Sequence, residues 1–325
     1  MRRIPLQQNG VLASRLILGC MAMGGERNIA PITMNDIKEA RMIMNSALQI
    51  GINMFDHADI YKLGKAEQVF GSVLREIPSL RESIIIQSKC GIRPKEWTGL
   101  PFKRYDFAKE HILTSVDGIL ERLGIEYLDI LLLHRPDPLM DPEEVAAAIQ
   151  ALKSSGKVRR FGVSNMSAGQ IRLLQSYCDE RFIVNQLEMS LQQIGWLEAG
   201  ILVNHEAGKD LIFPEGTLEY CRLENIQLQA WGALAQGAYS GNAQRSEDHR
   251  VWKTAQYVRE LSIQKETAAE AIVLAWLMKH PAGIQPIIGT SKPERIEACG
   301  QAIHISLTSD EWYGLYTSSR GGEVT

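Results

Sequence analysis

Eight short apolar runs alternate along the chain with longer amphipathic segments, and this alternation limits the possible folds strongly. Each run is apolar on both faces, as expected of a strand buried in a parallel sheet. The predicted strands are residues 15–18, 53–56, 84–89, 128–134, 160–163, 182–185, 227–230 and 285–288. No Gly-, Ser- or Pro-rich linker interrupts the series, so we expect a single domain over residues 1–325.

Helical patterns occupy the segments between these strands. Apolar stripes at helical spacing predict helices over residues 35–49, 109–123 and 266–279. Gly51 and Gly124 follow the first two segments as stop signals. Residues with the chemistry of a helix N-cap precede three further segments: Asp141, Ser167 and Thr217.

Successive strand–helix units in one uninterrupted chain predict a (β/α)8 barrel, the TIM-barrel class of α/β fold. A doubly wound sheet is the competing architecture, and it normally carries G-x-G-x-x-G after its first strand. Residues 19–25 read Gly-Cys-Met-Ala-Met-Gly-Gly and lack that spacing. The segment 2–14 is predicted to form a β-hairpin that turns at Gln8-Asn9-Gly10 and caps the barrel floor.

Composition excludes several classes of function. The 35 basic and 38 acidic residues give a net charge of −3, so we expect no nucleic-acid or membrane partner. The five cysteines are scattered and never spaced C-x-x-C, which argues against disulfides and zinc knuckles. Residues 16–20 resemble a lipoprotein cleavage box but lack the preceding apolar stretch. We therefore expect a cytoplasmic protein, and no feature of the sequence indicates its oligomeric state.

A polar or aromatic residue follows strand after strand, at the end of the barrel where active sites lie. These residues are Asp56, Lys89, His134, Ser164, Asn165, Asn185, Gln186 and Trp231, together with Thr290 and Ser291 in the turn that begins at Gly289. Any one of them alone could be a structural residue. Their convergence on one end of a barrel favours a functional site.

A metal site of the hydrolase kind is the first chemistry that Asp, Lys and His on neighbouring strands suggest. Asp56 and His57 are adjacent, however, so alternation along a strand sends their side chains to opposite faces. No second inward histidine pair follows. We therefore expect no metal ion.

Proton transfer through a tyrosine is the second chemistry. Tyr61 lies on the loop that leaves the second strand, five residues after Asp56. An ammonium about 4 Å away contributes about 4 kcal/mol at an effective dielectric of 20, so a desolvated Lys89 is expected to lower the pKa of Tyr61 by about two or three units. Asp56 would keep Lys89 charged, and His134 would donate to a substrate oxygen. Such a group protonates a carbonyl but needs a cofactor as its source of electrons.

Four segments resemble, in order, the motifs of the aldo-keto reductase family. Residues 51–61 resemble the signature around its aspartate and tyrosine, 84–89 the strand of its lysine, and 131–137 the strand of its histidine. Residues 156–165 resemble a further specific motif of the family. Residues 88–92 and 134–141 are similar to the bacterial YdhF-type branch of predicted oxidoreductases.

This resemblance implies an NADPH-dependent enzyme that reduces an aldehyde or ketone to an alcohol, with Asp56, Tyr61, Lys89 and His134 as the catalytic tetrad. It also implies NADP(H) bound at Gly24, Ser164, Asn165, Gln186, Trp231, Gly232, Leu234, Gln236, Gly237, Ile288, Gly289, Thr290, Ser291 and Arg295. By the same resemblance, Ser164, Asn165 and Gln186 would hold the nicotinamide carboxamide. Trp231 would stack on the ring and Arg295 would clamp a 2′-phosphate.

Two departures and one alternative accompany this resemblance. Gly289 and Cys299 stand where relatives often carry lysine and asparagine, so the resemblance predicts the reaction more firmly than it predicts NADP over NAD. The segment from Trp97 to Tyr105 is inserted relative to many relatives and is expected to be either a substrate-side loop or a solvated surface loop. The alternative function is a regulatory, channel-subunit-like protein of the same fold that binds the cofactor with slow turnover.

Overall fold

The computed structural model describes residues 4–241 and 248–324, and the strands in this part of the chain form a closed barrel and a separate hairpin. The strands are β1 (Ile17–Gly19), β2 (Met54–Asp56), β3 (Ile85–Cys90), β4 (Ile92–Arg93), β5 (Arg104–Tyr105), β6 (Leu128–Leu133), β7 (Val158–Ser164), β8 (Phe182–Glu188), β9 (Gln227–Trp231) and β10 (Gln285–Ile288). Eight of them pair in parallel in the order β1-β10-β9-β8-β7-β6-β3-β2, and β2 pairs with β1. The predicted (β/α)8 barrel is confirmed, and each predicted strand overlaps one barrel strand.

Helices follow most of the barrel strands. They are α1 (Pro5–Gln8), α2 (Met34–Gln49), α3 (Lys65–Glu76), α4 (Leu80–Ser83), α5 (Lys95–Thr98), α6 (Lys109–Leu123), α7 (Pro142–Ser154), α8 (Ala168–Gln175), α9 (Gly195–Ile201), α10 (Thr217–Leu223), α11 (His249–Gln264), α12 (Ala269–Lys279), α13 (Pro293–Gly300) and α14 (Ser309–Arg320). Their apolar faces pack on the outward side chains of the strands, and this layer holds most of the buried core.

The predicted helix ends are mostly confirmed. Asp141 accepts the Glu143 N–H at 2.9 Å, and Ser167 likewise caps α8. Thr217 as an N-cap is wrong, because Gly216 holds that position and Thr217 is the first helical residue. Its buried hydroxyl accepts the Ala168 N–H at 3.3 Å instead, so it serves the start of the neighbouring helix.

The predicted N-terminal hairpin is wrong. Residues 5–8 form one helical turn, and no strand precedes Ile17 in the described residues. Pro5 suits the first position of a helix, and Gly10 has a φ of 80° just after the last turn. The N–H of Val11 bonds to the carbonyl of Leu6 at 2.9 Å, which is a Schellman ending rather than a hairpin turn. Asn-Gly therefore ends a helix here.

The N-terminal segment nevertheless covers the barrel floor as predicted. Leu6 is fully buried, and its N–H donates to Gln227 Oε1 at 3.4 Å. It belongs to an apolar cluster with inward residues of the barrel strands, among them Met54, Ile130 and Ile287. The bottom of the barrel is thus closed by packed side chains.

Four glutamines continue from this floor toward the opposite end of the barrel, and we call them the glutamine network: Gln87, Gln186, Gln229 and Gln285. Gln285 Nε2 donates to Ser14 O at 2.6 Å, and Gln229 Nε2 donates to Gln285 Oε1 at 3.3 Å. Gln87 Nε2 and Gln186 Nε2 both donate to Gln229 Oε1, at 2.9 and 3.1 Å. Buried amides persist only when they are hydrogen-bonded, and these bond mainly to one another.

The inserted segment after β3 is a small structure of its own. β4 and β5 form an antiparallel hairpin, with α5 between them. Arg27 Nη1, on the loop after β1, lies 2.5 Å from Glu96 Oε1 on α5. Trp97 is 41% exposed. The insertion therefore stands beside the loop after β1, at the end of the barrel where the strands finish, and its two strands were not predicted.

Candidate active site

Asp56 and Lys89 form a buried ion pair at the ends of β2 and β3. Lys89 Nζ lies 2.6 Å from Asp56 Oδ2, and the two side chains are 1% and 3% exposed. The other carboxylate oxygen accepts Gln87 Nε2 at 2.6 Å and Gln186 Nε2 at 3.0 Å. The glutamine network therefore satisfies the carboxylate, as a buried charge requires.

Tyr61 reaches this pair from the loop after β2. The turn Tyr61–Gly64 contains left-handed backbone at Lys62 and Leu63, with φ of 52° and 60°. Lys89 Nζ donates to Tyr61 Oη at 3.0 Å and to the His57 carbonyl at 2.9 Å. With the Asp56 bond, all three donors of the ammonium are used.

The predicted lowering of the Tyr61 pKa is wrong in its net direction. Burial raises the pKa of the Tyr61 hydroxyl above its ordinary value, and the opposing effect of Lys89 is smaller. The prediction counted the charge of Lys89 but not the cost of forming a phenolate in a buried position. Tyr61 therefore keeps its proton at neutral pH, which is the form a proton donor needs. Asp56 and Tyr61 hold the pKa of Lys89 above its ordinary value despite burial.

His134 follows β6 and faces Tyr61. Its backbone N–H donates to the Cys90 carbonyl at 3.0 Å, and its ring meets the Tyr61 ring edge-on with centroids 6.2 Å apart. Burial, and then the charges of Lys89 and Arg135, hold the pKa of His134 well below its ordinary value. The imidazole is therefore neutral at neutral pH. A phenol that carries its proton, a lysine cation and a neutral imidazole thus lie together, and such a set can polarise and protonate a carbonyl.

The His57 ring packs against Phe70 of α3, outside the barrel strands, as alternation along β2 predicted, and the charges of Glu67 and Arg122 act on Asp59. Asp59 is 1% exposed and burial raises its pKa well above the usual range. Nearby, Glu67 Oε1 accepts Ser88 Oγ at 2.8 Å, and Glu67 Oε2 accepts Arg122 Nε at 2.7 Å. Within the described ranges, no group of three His, Cys, Asp or Glu residues could hold a metal ion.

Acid is expected to destabilise the protein through His57. Its ring is fully buried 4.6 Å from that of Phe70, and neither ring nitrogen has a hydrogen-bond partner among the described residues. Burial lowers the pKa of His57 to about 3, with a smaller contribution from Lys89. The unfolded chain binds this proton near pH 6.5, whereas the folded protein does not. Protonation of His57 therefore does not reduce the free energy of unfolding above about pH 6.5. Between about pH 6.5 and about pH 3, the free energy of unfolding falls by about 1.4 kcal/mol for each unit that the pH decreases.

A His57→Phe variant tests this expectation, since phenylalanine keeps the ring and removes the titrating group. Urea unfolding of both proteins at about pH 7 and pH 5 gives the change in unfolding free energy for each. The wild type should lose about 2 kcal/mol more than the variant between these pH values. Equal losses would contradict the assignment.

Hydrogen bonds join the ends of β7, β8 and β9 through four predicted cofactor-binding residues. Ser164 Oγ and the Asn165 N–H donate to the Gln186 carbonyl at 3.0 and 2.9 Å. Asn165 Nδ2 donates to Ser164 Oγ at 2.8 Å and to His134 O at 3.3 Å. Trp231 Nε1 donates to Asn165 Oδ1 at 3.1 Å. The structure therefore brings these four residues together beside His134.

The other predicted cofactor-binding residues near β9 and β1 lie on loops. Four of them form the tight loop after β9: Gly232, Leu234, Gln236 and Gly237. The Gly237 N–H closes this loop onto the Leu234 carbonyl at 2.8 Å. Gly24, on the loop after β1, packs against α3, where a Cβ would lie 2.9 Å from the backbone of Lys65. Close helix packing therefore accounts for glycine at position 24.

The last predicted group lies where β10 meets α13. β10 ends at the buried Ile288, and a turn leads into the helix through Gly289, Thr290 and Ser291. Arg295 Nε donates to Glu270 Oε1 and Arg295 Nη2 to Ser240 Oγ, both at 3.2 Å. A phosphate at Arg295 would therefore share the guanidinium with Glu270.

Two surface cavities, of about 800 and 740 Å³, open at the opposite end of the barrel. The first is lined by the starts of strands, for example Asn53 and Val158, and the second lies beside Pro5. Neither is lined by the ion pair, Tyr61 or His134. The chemistry of the side chains, rather than cavity size, identifies the site.

Gln87 and Gln229 were not predicted as part of this site. Each is a polar residue inside an apolar strand, two positions before a residue that was predicted, Lys89 and Trp231. Since alternate residues of a strand share a face, this spacing was the signal that places both amides in the barrel interior.

A family model for the Aldo/keto reductase family matches residues 15–316. The chain belongs to the aldo/keto reductase family. The chain is also similar to three named proteins. "Uncharacterized oxidoreductase YcsN" of Bacillus subtilis is 40% identical over 84% of this chain and 86% of the relative. "6-dehydroglucose reductase" of Agrobacterium fabrum is 34% identical over all of both chains, and "Oxidoreductase YdhF" of Escherichia coli is 32% identical over 99% of both. The predicted YdhF-type branch is confirmed.

Solved aldo/keto reductase structures share the fold. An aldo/keto reductase from Klebsiella pneumoniae in complex with NADP and acetate aligns with a TM-score of 0.71 at 23% identity, over 93% of this chain and 90% of that one. No helix in the described part of the chain is long and apolar enough to cross a membrane. The cytoplasmic location stays a prediction.

Proposed function

We propose that this protein reduces an aldehyde or ketone to an alcohol with NADPH, and that Tyr61 is the general acid. The observation that carries the proposal is the ammonium of Lys89, whose Nζ is bonded to both Asp56 Oδ2 and Tyr61 Oη at the barrel mouth. Membership of the aldo/keto reductase family supports a redox reaction. Two relatives at 34% and 32% identity are named 6-dehydroglucose reductase, and their names support an aldehyde substrate.

The proton is the part of the reaction that this chain's own residues supply. Tyr61 Oη gives its proton to the carbonyl oxygen, and the adjacent Lys89 cation stabilises the phenolate that remains. Asp56 keeps the ammonium charged and directed at the phenol. His134, which is neutral, donates a hydrogen bond to the same carbonyl oxygen and orients it. Bound NADPH would supply the hydride to the carbonyl carbon.

The residues at the ends of β7–β9 fit a nicotinamide. Trp231 offers an aromatic face, and its hydrogen bond to Asn165 fixes the indole ring. Ser164, Asn165 and Gln186 place amide and hydroxyl groups beside it, which suits a carboxamide. The turn before α13 and Arg295 would hold the adenosine phosphate. The Klebsiella structure in complex with NADP supports this cofactor.

Titration of the wild-type protein with NADPH, followed by quenching of tryptophan fluorescence, tests cofactor binding, and oxidation of NADPH with a panel of aromatic and sugar aldehydes tests the reaction. We expect saturable quenching and turnover of at least one aldehyde. Tight NADPH binding without turnover across the panel would overturn the enzyme assignment in favour of a regulatory protein. Absence of quenching would overturn the cofactor site.

A further inference from the structure

Arg135 lies in the barrel mouth directly after His134 in the chain. It is half-buried, and its guanidinium carbon lies over the Trp231 ring, 5.7 Å from the centroid. Burial is the larger cause of the low pKa of His134, and the charge of Arg135 adds to it. At Glu188 burial raises the pKa, and the charge of Arg135 opposes that effect. The guanidinium therefore lies over the tryptophan ring proposed to face the nicotinamide, and near enough to the histidine proposed to orient the carbonyl for its charge to act on that imidazole.

No acidic side chain of the described residues pairs with Arg135. The neighbouring Asp137 is used elsewhere, because Oδ2 accepts the Phe107 N–H at 3.1 Å and Oδ1 accepts the Leu139 N–H at 2.9 Å. Glu188 lies near enough to feel the charge but makes no ion pair with it within 4.0 Å, and burial raises the pKa of Glu188. The five N–H donors of Arg135 make no hydrogen bond to the described residues, whereas Arg81 and Arg122 are both paired with carboxylates.

An arginine without a carboxylate partner is suited to bind a carboxylate from a ligand. A half-buried cation loses hydration, and the stacked ring replaces only part of it. Its planar fork fits the two oxygens of a carboxylate better than any neutral group, and such charged bonds are among the strongest polar contacts. The guanidinium of Arg135 thus has no carboxylate partner among the described residues, and it lies over Trp231 beside the proposed active site.

We infer that the protein prefers carbonyl substrates that carry a carboxylate, and that Arg135 binds this carboxylate while His134 and Tyr61 engage the carbonyl oxygen. The inference rests on the proposed reductase function and names its substrate class. Arg135 is then a specificity-determining residue, which acts on binding rather than on proton transfer. Glu188, as a like charge near the bound carboxylate, opposes the same substrates.

The test compares 2-, 3- and 4-carboxybenzaldehyde with their methyl esters, so that each pair differs only in charge. For the best acid, Arg135→Met should lower kcat/KM by about 10–100-fold, mainly through KM, and should change that of its ester by less than about threefold. Arg135→Lys keeps a positive charge, so its kcat/KM for the acid should lie between those of Arg135→Met and the wild type. Glu188→Gln neutralises the opposite charge at the same rim and should raise kcat/KM for the acid.

Three results would overturn the inference. The first is a wild type that reduces the esters as well as or better than every acid. The second is an equal loss for acid and ester in Arg135→Met. The third is a loss of kcat/KM in Arg135→Met that is matched by weaker NADPH binding, measured by fluorescence quenching. That result would show that Arg135 binds the cofactor rather than the substrate. A wild type that reduces no aldehyde contradicts the proposed function itself, so the two failures are distinguishable.

Discussion

Replacing Tyr61 by phenylalanine is expected to lower kcat for aldehyde reduction by about 10²–10⁴-fold, the usual contribution of a positioned general acid. The variant removes one oxygen, which accepts a single hydrogen bond from Lys89 at 3.0 Å. The ammonium keeps its bonds to Asp56 and to the His57 carbonyl. Stability should therefore change by only about 1 kcal/mol.

Two measurements separate chemistry from folding in this variant. Titration with NADPH should give a Kd close to that of the wild type, because Tyr61 is not among the residues proposed to bind the cofactor. Tyr313→Phe is the matched control, since Tyr313 lies on α14 and is 51% exposed. A Tyr61→Phe variant that keeps more than about a tenth of the wild-type kcat would contradict the role of general acid.

Replacing Lys89 by methionine is expected to destabilise the protein by about 3–5 kcal/mol, the cost of leaving one member of a buried ion pair without its partner. Asp56 is 2% exposed, and its Oδ2 would lose the ammonium 2.6 Å away. The amides of Gln87 and Gln186 reach only the other oxygen. Urea unfolding at neutral pH measures the loss.

The double variant Asp56→Asn/Lys89→Met removes both charges and should recover about 0.5–3 kcal/mol relative to Lys89→Met alone. The surface pair of Lys209 and Glu206, 71% and 86% exposed, provides the control. Lys209→Met should change stability by less than about 0.5 kcal/mol. Strictly additive effects of the Asp56 and Lys89 substitutions would show that the pair is not coupled.

The barrel could be predicted from the sequence because its strands are apolar on both faces and each is followed by a turn and a helix. The same pattern placed Asp56, Lys89 and His134 at strand ends, and the structure brings them together with Tyr61. Their catalytic roles stay predictions.

What failed in prediction depended on the surroundings of a residue rather than on its type. Asn9-Gly10 is compatible with both a hairpin and a Schellman ending, and packing under the barrel decides between them. The pKa of Tyr61 depends on burial, which the sequence does not display. Glu270 reaches Arg295 from another helix, so that pairing has no local signal.

The glutamine network has a consequence for anyone who would move this chemistry to a new scaffold. Most barrels fill their interior with branched aliphatic side chains. Grafting the tetrad onto such a barrel would leave one oxygen of Asp56 facing hydrocarbon, with no donor to replace Gln87 and Gln186. A design that transfers the reacting groups must therefore also transfer the two amides that donate to the carboxylate, those of Gln87 and Gln186.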